Sequence, residues 1–93
     1  MLDESLRFTP DDGNRLERAC RAAEFCGRAT AMVVNLYSAG QFERADVWQQ
    51  EQAVWEKRRL ESADLLPHHQ AVSAELEKLT HAAYVANLVP RVH

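Results

Sequence analysis

The chain is poor in residues that interrupt regular structure, with three glycines and three prolines among its 93 residues. Gly40 and the three prolines lie at the ends of segments of helical periodicity, which excludes the many turns that short β-strands would need. Cysteine is also scarce, and Cys20 and Cys26 fall on one predicted helix. Their separation along that helix, roughly 9 Å, exceeds the ~7 Å limit for a disulfide. We therefore expect two small buried residues in a reducing compartment.

Lysine is nearly absent, because arginine supplies nine of the eleven basic residues. The net charge of −3 lacks the basic field of most nucleic-acid-binding domains, so binding to DNA or RNA is not expected. No apolar run approaches the ~20 residues that span a bilayer. The N-terminal sequence MLDESLRF is acidic where a signal peptide would be basic and apolar. We expect a soluble cytoplasmic protein with no membrane partner.

The sequence has no arrangement of residues typical of catalysis or metal binding. His68 and His69 are adjacent and diverge on a helix, and the single pair Glu77 and His81 lacks the repeated Glu-x-x-His of di-iron bundles. A glycine-rich phosphate loop is missing, and no histidine is placed to activate a cysteine. We expect a protein without enzymatic activity, metal or cofactor.

What the chain does contain is helix-forming sequence with clear punctuation. Thr9 can act as N-cap with Pro10 at the first helical position. Gly40 can take the left-handed conformation that ends a helix. These signals predict a first helix over residues 10–39.

Two more helices are predicted over residues 41–64 and 67–89, with Pro67 in the first turn of the third. The short connections favour antiparallel neighbours in an all-α hairpin or three-helix bundle. A kink at Pro67 in one continuous helix is the alternative. Residues 1–93 are expected to form one domain with residues 1–8 as an N-terminal arm. A domain this small is expected to be completed by oligomerisation.

The connection between the first two helices resembles the turn between the paired helices of a tetratricopeptide repeat. The resemblance is carried by Leu36, Gly40, Phe42 and Ala45. It covers about ten residues, and no second copy follows at the ~34-residue period of such repeats. We interpret the segment as an ordinary tight αα-hairpin.

The first helix is apolar around most of its circumference. A narrow charged stripe forms its predicted solvated face: Glu17, Arg21, Glu24, Arg28 and Asn35. The apolar residues of this helix occupy a wider sector of the helical wheel than the ~100° arc of an ordinary surface helix. One ridge is rich in small residues that allow close approach of another helix: Ala19, Ala23, Gly27 and Thr30.

A second ridge on the first helix carries larger side chains: Ala22, Phe25, Ala29, Met32 and Leu36. Two ridges require two neighbours. Either the second and third helices flank the first on both sides, or another subunit covers the second ridge. We assign the second ridge to self-association in a homo-oligomer.

The second helix has a broad apolar face into which polar residues intrude. Trp48 and Trp55 lie two turns apart, with Gln52 and Arg59 on the same face. The tryptophans can be core anchors with their indole N–H groups at the edge. They can also form a half-exposed recognition surface, because tryptophan and arginine are common in binding hot spots. We take these four residues as the candidate partner-binding site.

Two functions are compatible with these features. The first is a small non-enzymatic helical interaction protein, such as an adaptor, chaperone or inhibitor, that self-associates and binds another protein. The alternative is an oligomeric binder of a small anionic ligand such as a nucleotide. Its phosphate contacts would come from arginines of the first helix and its stacking surface from Trp48 or Trp55. The arginines are Arg15, Arg18, Arg21 and Arg28.

Overall fold

The computed structural model describes residues 10–89. That part of the chain contains α1 (Pro10–Ser38), α2 (Phe42–Asp64) and α3 (His69–Asn87). The predicted all-α three-helix bundle is confirmed, and each helix end lies within two residues of its predicted position. The predicted cap Thr9 and the predicted arm over residues 1–8 lie outside the described residues.

The turn between α1 and α2 is a Schellman motif, which confirms the tight hairpin. Gly40 has a φ of 76°, a conformation that only glycine adopts without steric cost. Its N–H donates to the carbonyl of Tyr37 at 3.0 Å, and the N–H of Gln41 donates to the carbonyl of Leu36 at 2.8 Å. These two bonds use carbonyls that the end of α1 would otherwise leave unpaired.

The turn between α2 and α3 separates the two helices completely, so the continuous kinked helix is wrong. Pro67 lies in this turn, two residues before the first residue of α3, and not in the helix as predicted. The reversal is made by His68, which has φ 57° and ψ 37°. The left-handed conformation at a residue with a Cβ atom costs roughly 1–2 kcal/mol.

His68→Gly is therefore expected to raise the free energy of unfolding by about 0.5–1 kcal/mol, because relief of the steric cost exceeds the extra entropy of unfolded glycine. For a domain of this size that corresponds to a rise in Tm of roughly 2–8 °C. His68→Val should lower the Tm, because a β-branched residue is least compatible with positive φ. Circular dichroism melts of the three proteins measure this, and a lower Tm for the glycine variant would contradict the reading.

Helix α1 lies between the other two helices and packs against both, whereas α2 and α3 contact each other little. Helix α2 runs antiparallel to α1. The ring of Phe25 stacks on that of Trp55 with centroids 4.8 Å apart, and Tyr37 meets Phe42 at 5.5 Å. The first of the two predicted packing alternatives is thus the observed one, because both ridges of α1 are covered from within the chain.

Helix α3 runs parallel to α1 and approaches it closely at Gly27. A Cβ atom at Gly27 would lie 2.9 Å from both the Cβ of Ala83 and the backbone N of Tyr84, and would also meet the carbonyl oxygen of Thr80. The predicted role of the small-residue ridge is confirmed, since glycine at this position lets the α3 backbone reach the α1 surface.

The core lies where all three helices meet. It consists in equal parts of alanines and larger aliphatic residues: Ala19, Ala23, Ala63, Leu66, Val72 and Leu76. Val72 and Leu76 are its largest fully buried side chains. Because half of the core is alanine, close helix approach provides there the dispersion contacts that larger side chains supply elsewhere.

A search of residues 10–89 for a membrane-crossing helix gave none that combines the necessary length with sufficient hydropathy.

Candidate functional site

The four predicted partner-binding residues lie on α2, but they are not equally accessible. Trp48, Gln52 and Trp55 are partly buried. Arg59, the fourth residue of the predicted recognition surface, is only 8% exposed. The prediction that these residues form one recognition surface stays a prediction, and the structure assigns Trp55 and Arg59 to different surroundings.

Trp55 belongs to an aromatic cluster at the seam between α1 and α2. Its ring stacks on Phe25 at an interplanar angle of 28°, and the guanidinium carbon of Arg58 lies 4.7 Å from its centroid. Phe25 remains 43% exposed. The cluster therefore combines a stabilising aromatic pair and a cation–π contact with surface that a partner can reach.

Arg59 is buried, and its Nε has no hydrogen-bond partner among residues 10–89. Its nearest charge is Glu56, whose Oε1 lies 4.0 Å from Nη2, and the Arg59 side chain is 10% exposed. A buried guanidinium normally has its N–H groups paired, because an unpaired buried donor costs about 1–3 kcal/mol, and more when it is charged. Arg59 thus departs from the ordinary behaviour of a core residue.

The Arg59 side chain lines a cleft of about 210 Å³ to which all three helices contribute. We call it the Arg59 cleft; its other lining residues are Thr30, Glu77, Thr80, His81 and Tyr84. Thr30 donates to the carbonyl of Cys26 at 2.8 Å, and Thr80 donates to the carbonyl of Leu76 at 2.9 Å. Both hydroxyl protons are therefore committed, and these hydroxyls offer acceptor lone pairs to the cleft.

Neither cysteine has the environment of a nucleophile. Burial raises the pKa of the Cys20 thiol, and the nearby carboxylates of Glu24 and Glu17 raise it further. Burial also raises the pKa of Cys26, with a further increase from Glu56 that Arg59 opposes. Both groups stay protonated at neutral pH, whereas an activated thiol needs a lowered pKa.

The predicted self-association ridge is mostly covered inside the chain. Ala22, Ala29 and Leu36 are buried, Met32 is partly buried, and Phe25 stacks on Trp55. These residues do not offer a continuous surface to a second copy, because the intrachain packing of α1 already uses the ridge.

A different apolar surface is exposed at the end of the described chain. Ala82, Val85, Ala86 and Val89 are all exposed, with Val85 at 55% and Val89 at 66%. On α3, Ala82, Val85 and Ala86 have the i, i+3 and i+4 spacing of a helix face packed on a neighbour, and Val89 follows just after the helix ends at Asn87. The sequence also indicates an apolar surface at this end of α3, because residues 82–89 are apolar on nearly every side.

A groove of about 430 Å³ runs between this surface and α1. Its apolar lining comes from Phe25, Leu79, Ala82, Ala83 and Ala86. Glu24, Arg28 and Asn87 complete the lining. Among the described residues Glu24 and Arg28 form no ion pair, although Glu17 and Arg21, also four residues apart on α1, pair at 2.6 Å.

Asn35 has a role that sequence reasoning missed. Assigned to the solvated stripe of α1, it instead ties down the end of α3. Its Nδ2 donates to the carbonyl of Asn87 at 3.0 Å, and its Oδ1 accepts from the N–H of Val89 at 3.0 Å. The signal available in the sequence was that Asn35 is an uncharged amide within the charged stripe of α1.

The arginines of the alternative function are exposed on α1. Arg21 is paired with Glu17, and the ring of Trp55 already contacts Phe25 and Arg58. These contacts use the ring of Trp55, whereas Trp48, the other predicted stacking residue, is partly buried. Within residues 10–89 no three histidine, cysteine or carboxylate side chains are grouped so that they could hold a metal ion.

Comparison with known proteins gave no matching family model, curated protein or solved structure. Function therefore has to be inferred from the surfaces and the cleft described above.

Proposed function

We propose that this chain is a small helical interaction protein without enzymatic activity that self-associates and binds another protein. The observation that carries the proposal is the exposed apolar face of α3, formed by Ala82, Val85 and Ala86 and continued by Val89 just beyond the end of the helix. Apolar residues at helix-packing spacing lower the free energy when they are removed from water, by roughly 25 cal/mol per Å². Among residues 10–89 no other helix covers them.

A second copy of the chain fits this face. Glu24 and Arg28 lie at the adjoining groove, both exposed and four residues apart. A two-fold axis would bring Glu24 of one copy opposite Arg28 of the other, twice per interface. The charges at the groove are thus self-complementary, and the apolar residues between them would be covered in the same contact.

The aromatic cluster of Phe25, Trp55 and Arg58 borders this groove through Phe25. Tryptophan and arginine are common in binding hot spots. We propose that this cluster binds the second partner, which is another protein. An adaptor, chaperone or inhibitor would need such a binding surface.

Val85→Asp is expected to weaken self-association at least about 30-fold, because an unpaired carboxylate would be buried in the interface. Val54→Asp is the matched control, since Val54 is 45% exposed on α2 and should leave the oligomer intact. Light scattering over a range of micromolar concentrations measures both. A wild-type mass of 10.6 kDa at every concentration would show that the chain does not self-associate.

The charge pairing has its own test. Glu24→Arg should weaken the oligomer by placing like charges together, and the double variant Glu24→Arg with Arg28→Glu should restore it. Failure of the double variant to recover would disprove the two-fold arrangement.

A further inference from the structure

We propose that the Arg59 cleft is a binding site for a carboxylate group. The site lies between the three helices, on residues separate from the α3 face, and does not depend on self-association. Arg59 lines the cleft with its Nε buried and unpaired. A buried guanidinium N–H that no described residue satisfies calls for an acceptor from outside the chain.

The planar guanidinium favours a planar acceptor. A carboxylate can take two parallel N–H bonds from adjacent nitrogens of Arg59, which a point-like anion cannot do. Nε is free for one of these bonds, and Nη2, 4.0 Å from Glu56, is not yet in a close hydrogen bond.

The other charges near the cleft select for a single negative charge. Glu77 lines it and Glu56 lies beside Arg59. Two carboxylates next to one guanidinium repel a phosphate dianion more strongly than a monoanion. Tyr84 can donate a further hydrogen bond, and His81 can donate one from either ring nitrogen according to its tautomer.

The size of the cleft limits the ligand. About 210 Å³ lies below the roughly 300–1,000 Å³ of pockets for drug-sized molecules. Two sources fit, a free small monocarboxylate and a carboxylate presented by a polypeptide, and they share the same recognition chemistry.

Sodium acetate titrated into ¹⁵N-labelled protein at neutral pH tests the proposal. We expect saturable shifts of the Arg59 Nε–H signal and of backbone amides at Thr30, Thr80 and Tyr84. Sodium chloride at the same ionic strength should not reproduce them, and phosphate should bind more weakly than acetate. Equal shifts with chloride, tighter binding of phosphate, or no shift with acetate would each overturn the proposal.

Variants then locate the effect. Arg59→Met keeps the side-chain volume and should fold, because a buried charge can be replaced by an apolar residue at little cost; it should abolish the acetate shifts. Arg59→Lys keeps the charge without the planar fork and should weaken binding about 5-fold or more. Retention of full affinity in either variant would show that Arg59 does not bind the carboxylate.

Glu77→Gln provides a test that does not remove the ligand contact. Loss of one repelling carboxylate should tighten acetate binding by about 3- to 10-fold, and unchanged or weaker binding would count against the site. Competition between acetate and peptides with free or amidated C-termini identifies the source. Displacement by the free form alone indicates a polypeptide carboxylate, and displacement by neither indicates a small molecule.

Discussion

Valine in place of Gly27 is expected to lower the free energy of unfolding by about 3 kcal/mol, near the upper end of the usual cost of overpacking. A Cβ atom at this position meets the Thr80 carbonyl and lies 2.9 Å from the backbone N of Tyr84. Backbone atoms cannot rotate away as a side chain can, so α1 and α3 would have to move apart. Helix propensity favours valine over glycine by only a few tenths of a kcal/mol and does not offset this cost.

Gly13→Val is the matched control. Gly13 lies in the same helix, and a Cβ atom there would meet no other part of the described chain within 4 Å apart from the adjacent backbone of α1. Its free energy of unfolding should stay the same or rise by a few tenths of a kcal/mol, through helix propensity alone. Urea denaturation of the two variants and the wild type at low temperature separates the effects. Equal stabilities for the two valine variants would show that α1 and α3 do not pack closely at Gly27.

The helix ends could be predicted because local chemistry determines them. Gly40 ends α1 through its positive φ, and Pro67 marks the interruption between α2 and α3. Both effects depend on the backbone preferences of one residue and need no knowledge of tertiary contacts. The reversal at His68 could not be foreseen, because histidine adopts the left-handed conformation only rarely, although more often than most residues with a Cβ atom.

The covering of α1 was predictable only as two alternatives. A helical wheel shows how many sides of α1 are apolar but cannot show whether another subunit or the same chain covers them. In the structure α2 and α3 cover the apolar sides of α1, because they lie on different sides of it. The predicted self-association ridge was thereby used within the chain, and the exposed face of α3 became the surface without a neighbour.

The Arg59 cleft was predictable from the sequence only in part. Arg59 was recognised as a polar residue on the apolar face of α2, yet its burial was not foreseen. Burial depends on the path of α3, which places Glu77, His81 and Tyr84 around the same cleft. Such a meeting of three helices is a tertiary property, and periodicity within one helix carries no information about it.

Leu76→Ala is expected to reduce the free energy of unfolding by about 3 kcal/mol, within the 2–5 kcal/mol typical of this change in a core. Leu76 is 1% exposed and is among the largest fully buried side chains. Its neighbours in the core include Ala19, Ala23 and Ala63. Alanines have no side-chain torsion by which they could fill the space that the leucine leaves, so most of the cavity should persist.

Leu65→Ala tests whether this loss comes from burial. Leu65 is 63% exposed, so the same truncation there removes little buried area and should change stability by no more than about 0.5 kcal/mol. Because a domain of this size has a total stability of roughly 5–10 kcal/mol, the Leu76 variant should also unfold at a clearly lower urea concentration. Comparable midpoints for the two alanine variants would mean that the meeting point of the three helices is not the main source of stability.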